Sequence, residues 1–220
     1  MDKTPLIIYG GTFDPVHLGH LTLVEYLLSI HPTAEVHLMP NQQPVNKDCT
    51  MASAEERVAM LELATQSFSR VNIDTRELAR KEPSYSLLSL RELRSEAGDE
   101  QPIWMVIGDD AFDGFLSWYQ FDNILDECHL LIARRHKQID LHWTDELRQF
   151  YEAHQLSSEL PLEEQAELKM EPAGRIVALD NPLVEVSSTA VRRALSQSTS
   201  VEQYLPSVVS SYIKENNLYS

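Results

Sequence analysis

The chain has 220 residues, 43% of them hydrophobic and 24% charged, the make-up of a water-soluble globular protein able to bury a substantial core. Its net charge of -16 argues against a nucleic-acid binder, whose affinity depends on Lys and Arg neutralising phosphates, yet leaves a small phosphorylated ligand open. No stretch approaches the roughly eighteen apolar residues of a membrane span, and MDKTPLIIYGG lacks the three-part form of a secretory signal, so a cytoplasmic protein with no membrane partner is expected.

Apolar runs of strand length alternate with helical patterns along the chain. Leu6 to Tyr9 reads as a buried strand, followed by a helix over Leu18 to Ile30, then a second strand from Glu35 to Met39. Ser53 and Glu56 have capping-box spacing, and Val58, Leu61, Ala64 and Phe68 continue it with helical period. Val71 to Ile73 is a short strand, Leu87, Leu90 and Leu93 mark a helix, and Ile103 to Ile107 is a central strand ending at Gly108. Leu130 to Ala133 and Ile176 to Leu179 are further strands, with a helix expected near Asp145 to His154 and a polar, acidic stretch around it. Cys49 and Cys128 have neither metal-ligand nor redox-pair spacing and are expected to be free thiols.

Such alternation implies crossover connections, and hence a Rossmann-like, doubly wound parallel sheet with helices on both faces. With no internal repeat and no linker, residues 1–220 are expected to form a single domain. Ligands of such sheets lie beyond the carboxyl ends of the strands, which would bring Gly10-Gly11, Gly108-Asp109-Asp110 and Arg134-Arg135 to one edge. The clusters Arg134-Arg135-His136-Lys137 and Arg192-Arg193 are the local positive charge that an acidic protein needs to hold a polyanion. Taken alone, each is a solvated surface patch.

The stretch GGTFDPVHLGH, Gly10 to His20, holds three of the seven glycines. Gly10-Gly11 after a strand permits a tight turn and close approach of a ligand. Asp14-Pro15 has the form of a helix start, and His17 and His20 would share a face near the helix N-terminus, where free N–H groups favour an anion. Gly19 costs the helix about 1 kcal/mol relative to Ala, which suggests that something packs against its backbone. The dinucleotide fingerprint and the P-loop are both absent, and H-x-x-H without a third ligand is a weak metal site, so no metal-binding residue is assigned.

The pattern G-G-T-F-D-P-x-H-x-G-H resembles the signature of the nucleotidylyltransferase superfamily, and Val186-Ser187-Ser188-Thr189-Ala190-Val191-Arg192 resembles its second motif. Between them Pro83-Ser84-Tyr85-Ser86, Ile107-Gly108-Asp109-Asp110, Trp118-Tyr119 and Arg134-Arg135 resemble the bacterial nicotinate-nucleotide adenylyltransferase family. The resemblance runs in order from Leu6 to Tyr219. It implies transfer of AMP from ATP, with Mg²⁺, to nicotinate mononucleotide, giving deamido-NAD and pyrophosphate. By the same resemblance His17, His20 and Arg192 carry catalysis. Gly10, Gly11, Thr12, Gly19, Gly108, Asp110, Arg134, Ser187 and Thr189 line the ATP site, and Phe13, Lys47, Ser86, Trp118 and Tyr119 the acceptor site.

Two positions depart from the family pattern: Pro44-Val45-Asn46-Lys47 stands where P-P-H-K is usual, and Ser86 where threonine is more common. Both fall on the acceptor side, so nicotinamide mononucleotide or phosphopantetheine remain alternative acceptors. A nucleotide sensor without turnover is the alternative from another class. A class I aminoacyl-tRNA synthetase would share a histidine–glycine–histidine motif, but no K-M-S-K-S accompanies it. Read individually, Trp118 is a core aromatic, Ser86 a helix cap and Asp109-Asp110 a turn.

Overall fold

The structure, a computed structural model, describes residues 4–42, 50–80, 84–135, 139–140, 142–156 and 171–219. Its centre is a six-stranded, wholly parallel sheet in the order β3-β2-β1-β4-β5-β6. The strands are β1 (Leu6–Gly11), β2 (Glu35–Pro40), β3 (Val71–Ile73), β4 (Ile103–Gly108), β5 (His129–Ala133) and β6 (Ile176–Ala178). This is the doubly wound order expected from the alternation of elements.

The helices are α1 (Leu18–Ile30), α2 (Ala54–Thr65), α3 (Arg76–Ala79), α4 (Ser86–Ala97), α5 (Asp109–Phe112), α6 (Ile124–Glu127), α7 (Asp145–His154), α8 (Ser188–Ser196) and α9 (Ser207–Glu215). Because side chains alternate along a strand, β1 sends Ile7 and Tyr9 to one face and Ile8 to the other. The first face packs with Val36, Leu38, Trp104 and Val106 against α1, α2, α8 and α9. The second packs Ile8, Met105, Ile107, Leu130 and Ile132 against Leu87, Leu90 and Leu93 of α4 and Leu147 of α7. Strands buried on both faces explain the nearly continuous apolar runs that made them legible.

The Ser53–Glu56 capping box is present, the Ser53 hydroxyl accepting from the Glu56 N–H (3.2 Å) and the Glu56 carboxylate from the Ser53 N–H (2.7 Å). α2 ends at Thr65, short of the expected Phe68, which still packs on the same core from the turn beyond. The chain runs outward from β1 through β2 to β3, then returns to place β4 on the other side of β1. The crevice therefore opens between the carboxyl ends of β1 and β4.

Candidate active site

Gly10 and Gly11 are the last residues of β1, paired with Met39 and Pro40, and they form no turn. The left-handed backbone falls instead on Phe13 (φ +49°). The Phe13 ring folds back over Gly11, where a Cβ would come within 2.9 Å of it. Gly10 is exposed, and a Cβ there would meet nothing within 4 Å. Two buried or half-buried guanidinium groups hold the following turn. Arg57 donates to the Thr12 carbonyl (2.7 Å) and Arg192 to the Asp14 carbonyl (2.7 Å). A bulky residue with positive φ is strained, and pinning the carbonyls on either side of it keeps it there.

Asp14 does not cap the helix. Its carboxylate, 3% exposed, accepts from the Met51 and Ala52 N–H groups (2.9 and 3.1 Å) and from the Tyr219 hydroxyl (2.6 Å). A buried charge needs nearly every lone pair satisfied, and these three donors serve it better than a frayed helix end. The helix begins at Leu18 with His17 as its N-cap, and the Leu18 N–H is taken by the Tyr204 carbonyl (2.8 Å).

The His17 and His20 rings stack at 3.6 Å with 14° between their planes. The His17 N–H donates to Nδ1 of His20 (3.1 Å). Burial pushes the His17 imidazole down to about 4, with the nearby Arg135 charge adding to it, and pushes His20 well below the usual range, with His17 and Arg135 adding. Both are neutral at pH 7. A neutral His20 that accepts at Nδ1 carries its proton on Nε2, which makes it a fixed hydrogen-bond donor. The His20 N–H, which faces the His17 side chain, donates to the His17 carbonyl (2.9 Å), and Nδ1 of His17 stays buried with no hydrogen bond among the described residues. Such a nitrogen gains by meeting a ligand.

Gly19 answers to the far end of the chain. A Cβ there would lie 2.8 Å from Cγ1 of Val186 and 3.2 Å from the His17 ring, so the missing side chain lets the second motif dock on the first. Ser187 caps α8, accepting from the Ala190 N–H (3.2 Å), and Ser188 donates to the Pro15 carbonyl (3.0 Å). Arg192 also donates to the Thr189 hydroxyl (3.3 Å). These contacts bring Ser187, Thr189 and Arg192 beside the histidine helix.

Across the crevice, the buried Asp109 carboxylate accepts from the N–H groups of Asp110 (2.8 Å) and Arg135 (3.0 Å), joining the ends of β4 and β5. Asp110 and Arg135 form an ion pair at 3.0 Å over Gly108, where a Cβ would meet both side chains. Arg134 turns away, its guanidinium on the Asp180 carboxylate (2.5 Å) and the Asn181 carbonyl (3.2 Å) and its N–H on the Asn181 side chain (2.8 Å). Of the two arginines, Arg135 is the one whose charge reaches Tyr9, His17 and His20.

Where the acceptor is expected, Tyr85 and Tyr119 stack at 4.6 Å, which brings Ser86, the first residue of α4, next to Trp118-Tyr119. Trp118 is half-buried against Phe115 (5.5 Å) and Tyr119 is exposed. The Phe13 ring is fully buried, edge-on to Tyr9 (5.5 Å) and His20 (5.0 Å), so it walls the histidine pocket. Lys47, with Pro44, Val45 and Asn46, lies outside the described residues, as do Pro83 and Cys49. The sequence reading does not single out Arg57 and Asn181, and it holds Asp109, Arg135 and Tyr219 only within longer stretches, with no site role of their own. Two adjacent arginines at a strand end must point to opposite faces, but nothing local says which one faces the crevice.

The cytidylyltransferase-like family matches residues 8–194. A protein of Yersinia pestis (strain Pestoides F) named "Probable nicotinate-nucleotide adenylyltransferase" is 36% identical over 218 residues, 99% of this chain and 96% of that one. One of Shigella boydii serotype 18 with the same name is 35% identical, with 99% of each chain covered. Among solved structures, the Plasmodium falciparum nicotinic acid mononucleotide adenylyltransferase complexed with NaAD has a TM-score of 0.68 at 18% identity, covering 98% of this chain and 97% of that one. The same enzyme complexed with APC gives 0.64 at 19% identity, with the same coverage. The chain belongs to the cytidylyltransferase-like family, in its nicotinate-nucleotide adenylyltransferase branch.

Proposed function

We propose that the protein transfers AMP from ATP to nicotinate mononucleotide, forming nicotinate adenine dinucleotide and pyrophosphate, with residues 1–220 acting as one catalytic domain. The observation that carries this reading is the neutral, stacked His17–His20 pair at the crevice, with the Arg135 cation beside it and the second motif docked against Gly19. The relatives' name supplies the acceptor.

The attacking group is a phosphate oxygen of the acceptor, ionised at neutral pH, so no general base is required. Its oxygen bonds to the ATP α-phosphorus as the bond to the bridging oxygen of pyrophosphate breaks. The protein's work is to align two mutually repelling anions and to stabilise charge growing on the α-phosphate. Nε2–H of His20 is a donor already oriented for that purpose, and His17 offers a second imidazole. Exposed Gly10 leaves room for the phosphates beside β1. Ser187, Thr189 and Arg192 would hold the leaving pyrophosphate, and Gly108 and Asp110 would border the adenosine.

The described residues gather no three His, Cys, Asp or Glu side chains around one point. That fits a Mg²⁺ that enters with ATP and is held mainly by phosphate oxygens and water, where it would neutralise part of the triphosphate charge. Trp118 would stack on the pyridine ring, with Ser86 and the Tyr119 backbone at its carboxylate. No helix among the described residues is long and apolar enough to cross a membrane.

The test is pyrophosphate release from Mg-ATP with nicotinate mononucleotide, nicotinamide mononucleotide and phosphopantetheine offered separately. Turnover led by nicotinate mononucleotide is expected. Equal use of the amide would make Asn46 and Ser86, the two departures from the family pattern, the residues that relax specificity. ATP binding without any turnover would replace the enzyme with a nucleotide sensor.

A further inference from the structure

The Asp14 carboxylate is where three distant pieces of chain meet: the turn after β1, the Met51-Ala52 backbone that leads into α2, and the hydroxyl of Tyr219. We propose that Tyr219 is a positioning residue for the nucleotide site: acting through the Asp14 carboxylate, its hydroxyl holds the Thr12–Pro15 turn and the Arg192 guanidinium in place. This rests on the adenylyl-transfer reading above.

The chain end is built to deliver that hydroxyl. After α9, the Leu218 N–H bonds the Ile213 carbonyl (3.0 Å) and the Asn217 N–H the Lys214 carbonyl (3.3 Å), with Asn217 left-handed (φ +52°). This is a Schellman stop, and it reverses the chain so that the Tyr219 side chain turns back into the core. Tyr219 is itself left-handed (φ +62°) and 5% exposed. Strain in a bulky residue persists only where its surroundings fix it, and the 2.6 Å bond to Asp14 is the specific contact that does so. Burial and the adjacent carboxylate push the phenol upward, so it stays protonated and remains a donor.

Arg192 is poised on the same group. One of its nitrogens lies 2.7 Å from the Asp14 carbonyl and 4.0 Å from the Asp14 carboxylate. While Tyr219 and the two backbone N–H groups satisfy the carboxylate, Arg192 has no cause to close that gap. Without the hydroxyl, a buried anion loses its shortest donor, and the nearby guanidinium is the cation able to replace it. Arg192 would then swing onto Asp14, release the carbonyl that braces the strained Phe13 turn, and leave the triphosphate.

The experiment is a double-mutant cycle of Tyr219→Phe and Arg192→Ala, each variant checked by thermal melting and assayed well below its melting temperature. Readouts are the affinity for Mg-α,β-methylene-ATP, kcat/KM for ATP and KM for nicotinate mononucleotide. Tyr219→Phe is expected to weaken analogue binding about tenfold while changing the acceptor KM by less than about twofold. In the Arg192→Ala background the same change should add no more than about twofold, because the residue it acts through is gone. An equal loss in both backgrounds, a lowered melting temperature with unchanged nucleotide affinity, or a Tyr219→Phe chain that does not fold would each overturn the proposal. Analogue binding requires no turnover, so an unaltered protein that binds the analogue but releases no pyrophosphate would sink the adenylyl-transfer reading alone. One that fails to bind it would sink both.

Discussion

The two sides of the crevice are built differently. Around the histidine pair nearly every polar group has a fixed partner: Thr12 and Asp14 carbonyls on arginines, the Asp14 carboxylate on three donors, the His17 N–H on His20. On the side proposed to take the acceptor, Tyr119 is exposed and Trp118 only half-buried, held by the Tyr85–Tyr119 stack and the Phe115 contact. The first region is preorganised, as charge stabilisation demands. The second can adjust to its ligand, as a surface held by stacking does.

Breaking the rigid side should cost the most. His20→Ala is expected to lower kcat about a hundredfold to a thousandfold with little change in KM, the loss of one oriented donor at a developing charge; steady-state kinetics would show it, and a change confined to KM would remove His20 from the chemistry. Acid should act on the His17 ring there and, at the opposite, amino end of β5, on His129. Native His17 and His129 titrate near 4, against about 6.5 in the unfolded chain, so the unfolded state binds more protons between those values. Stability should be full above pH 6.5 and fall as the pH drops toward 4, by up to about 3 kcal/mol for each of the two groups. Urea melts across that range should show the decline, and a flat profile would mean that these rings are not buried as described.

Glycine substitutions sharpen the comparison within the rigid side. Gly19→Ala should destabilise by about 1–3 kcal/mol, because its methyl meets Val186 and His17. Gly10→Ala has room and should leave the melting temperature nearly unchanged while raising the ATP KM, a split visible by pairing calorimetry with kinetics. The smallest effect belongs to the adaptable side. Trp118→Ala should raise the nicotinate mononucleotide KM about tenfold and leave ATP binding intact; equal loss for both substrates would make Trp118 a core residue.

The sheet was legible because its buried strands are short apolar runs bounded by polar turns, and α2 because its capping box is local. The H-x-G-H stretch was legible as a pattern, but its local grammar misled at two points. Asp14-Pro15 looked like a helix cap because competing donors at Met51, Ala52 and Tyr219 are far away in sequence. Gly10-Gly11 looked like a turn, whereas the chain turns at Phe13, under the hold of Arg57 and Arg192. The individual roles of Asp109, Arg135 and Asn181 were not legible for the same reason: each acquires its place only when β4, β5 and the segment after β6 lie side by side.

The grip of residues 186–219 on the histidine stretch also bears on how the protein is made. Its bonds to Pro15 and Asp14 span 173, 178 and 205 residues, and Val186 must reach Gly19 before α1 is seated. The first motif leaves the ribosome early and waits for nearly the whole chain. A nascent chain that has formed β1 through β6 but lacks residues 186–219 would have a sheet and two imidazoles with no fixed geometry. Contacts of such high sequence separation close slowly, so catalytic competence should arrive as a late, separate event after synthesis of the second motif.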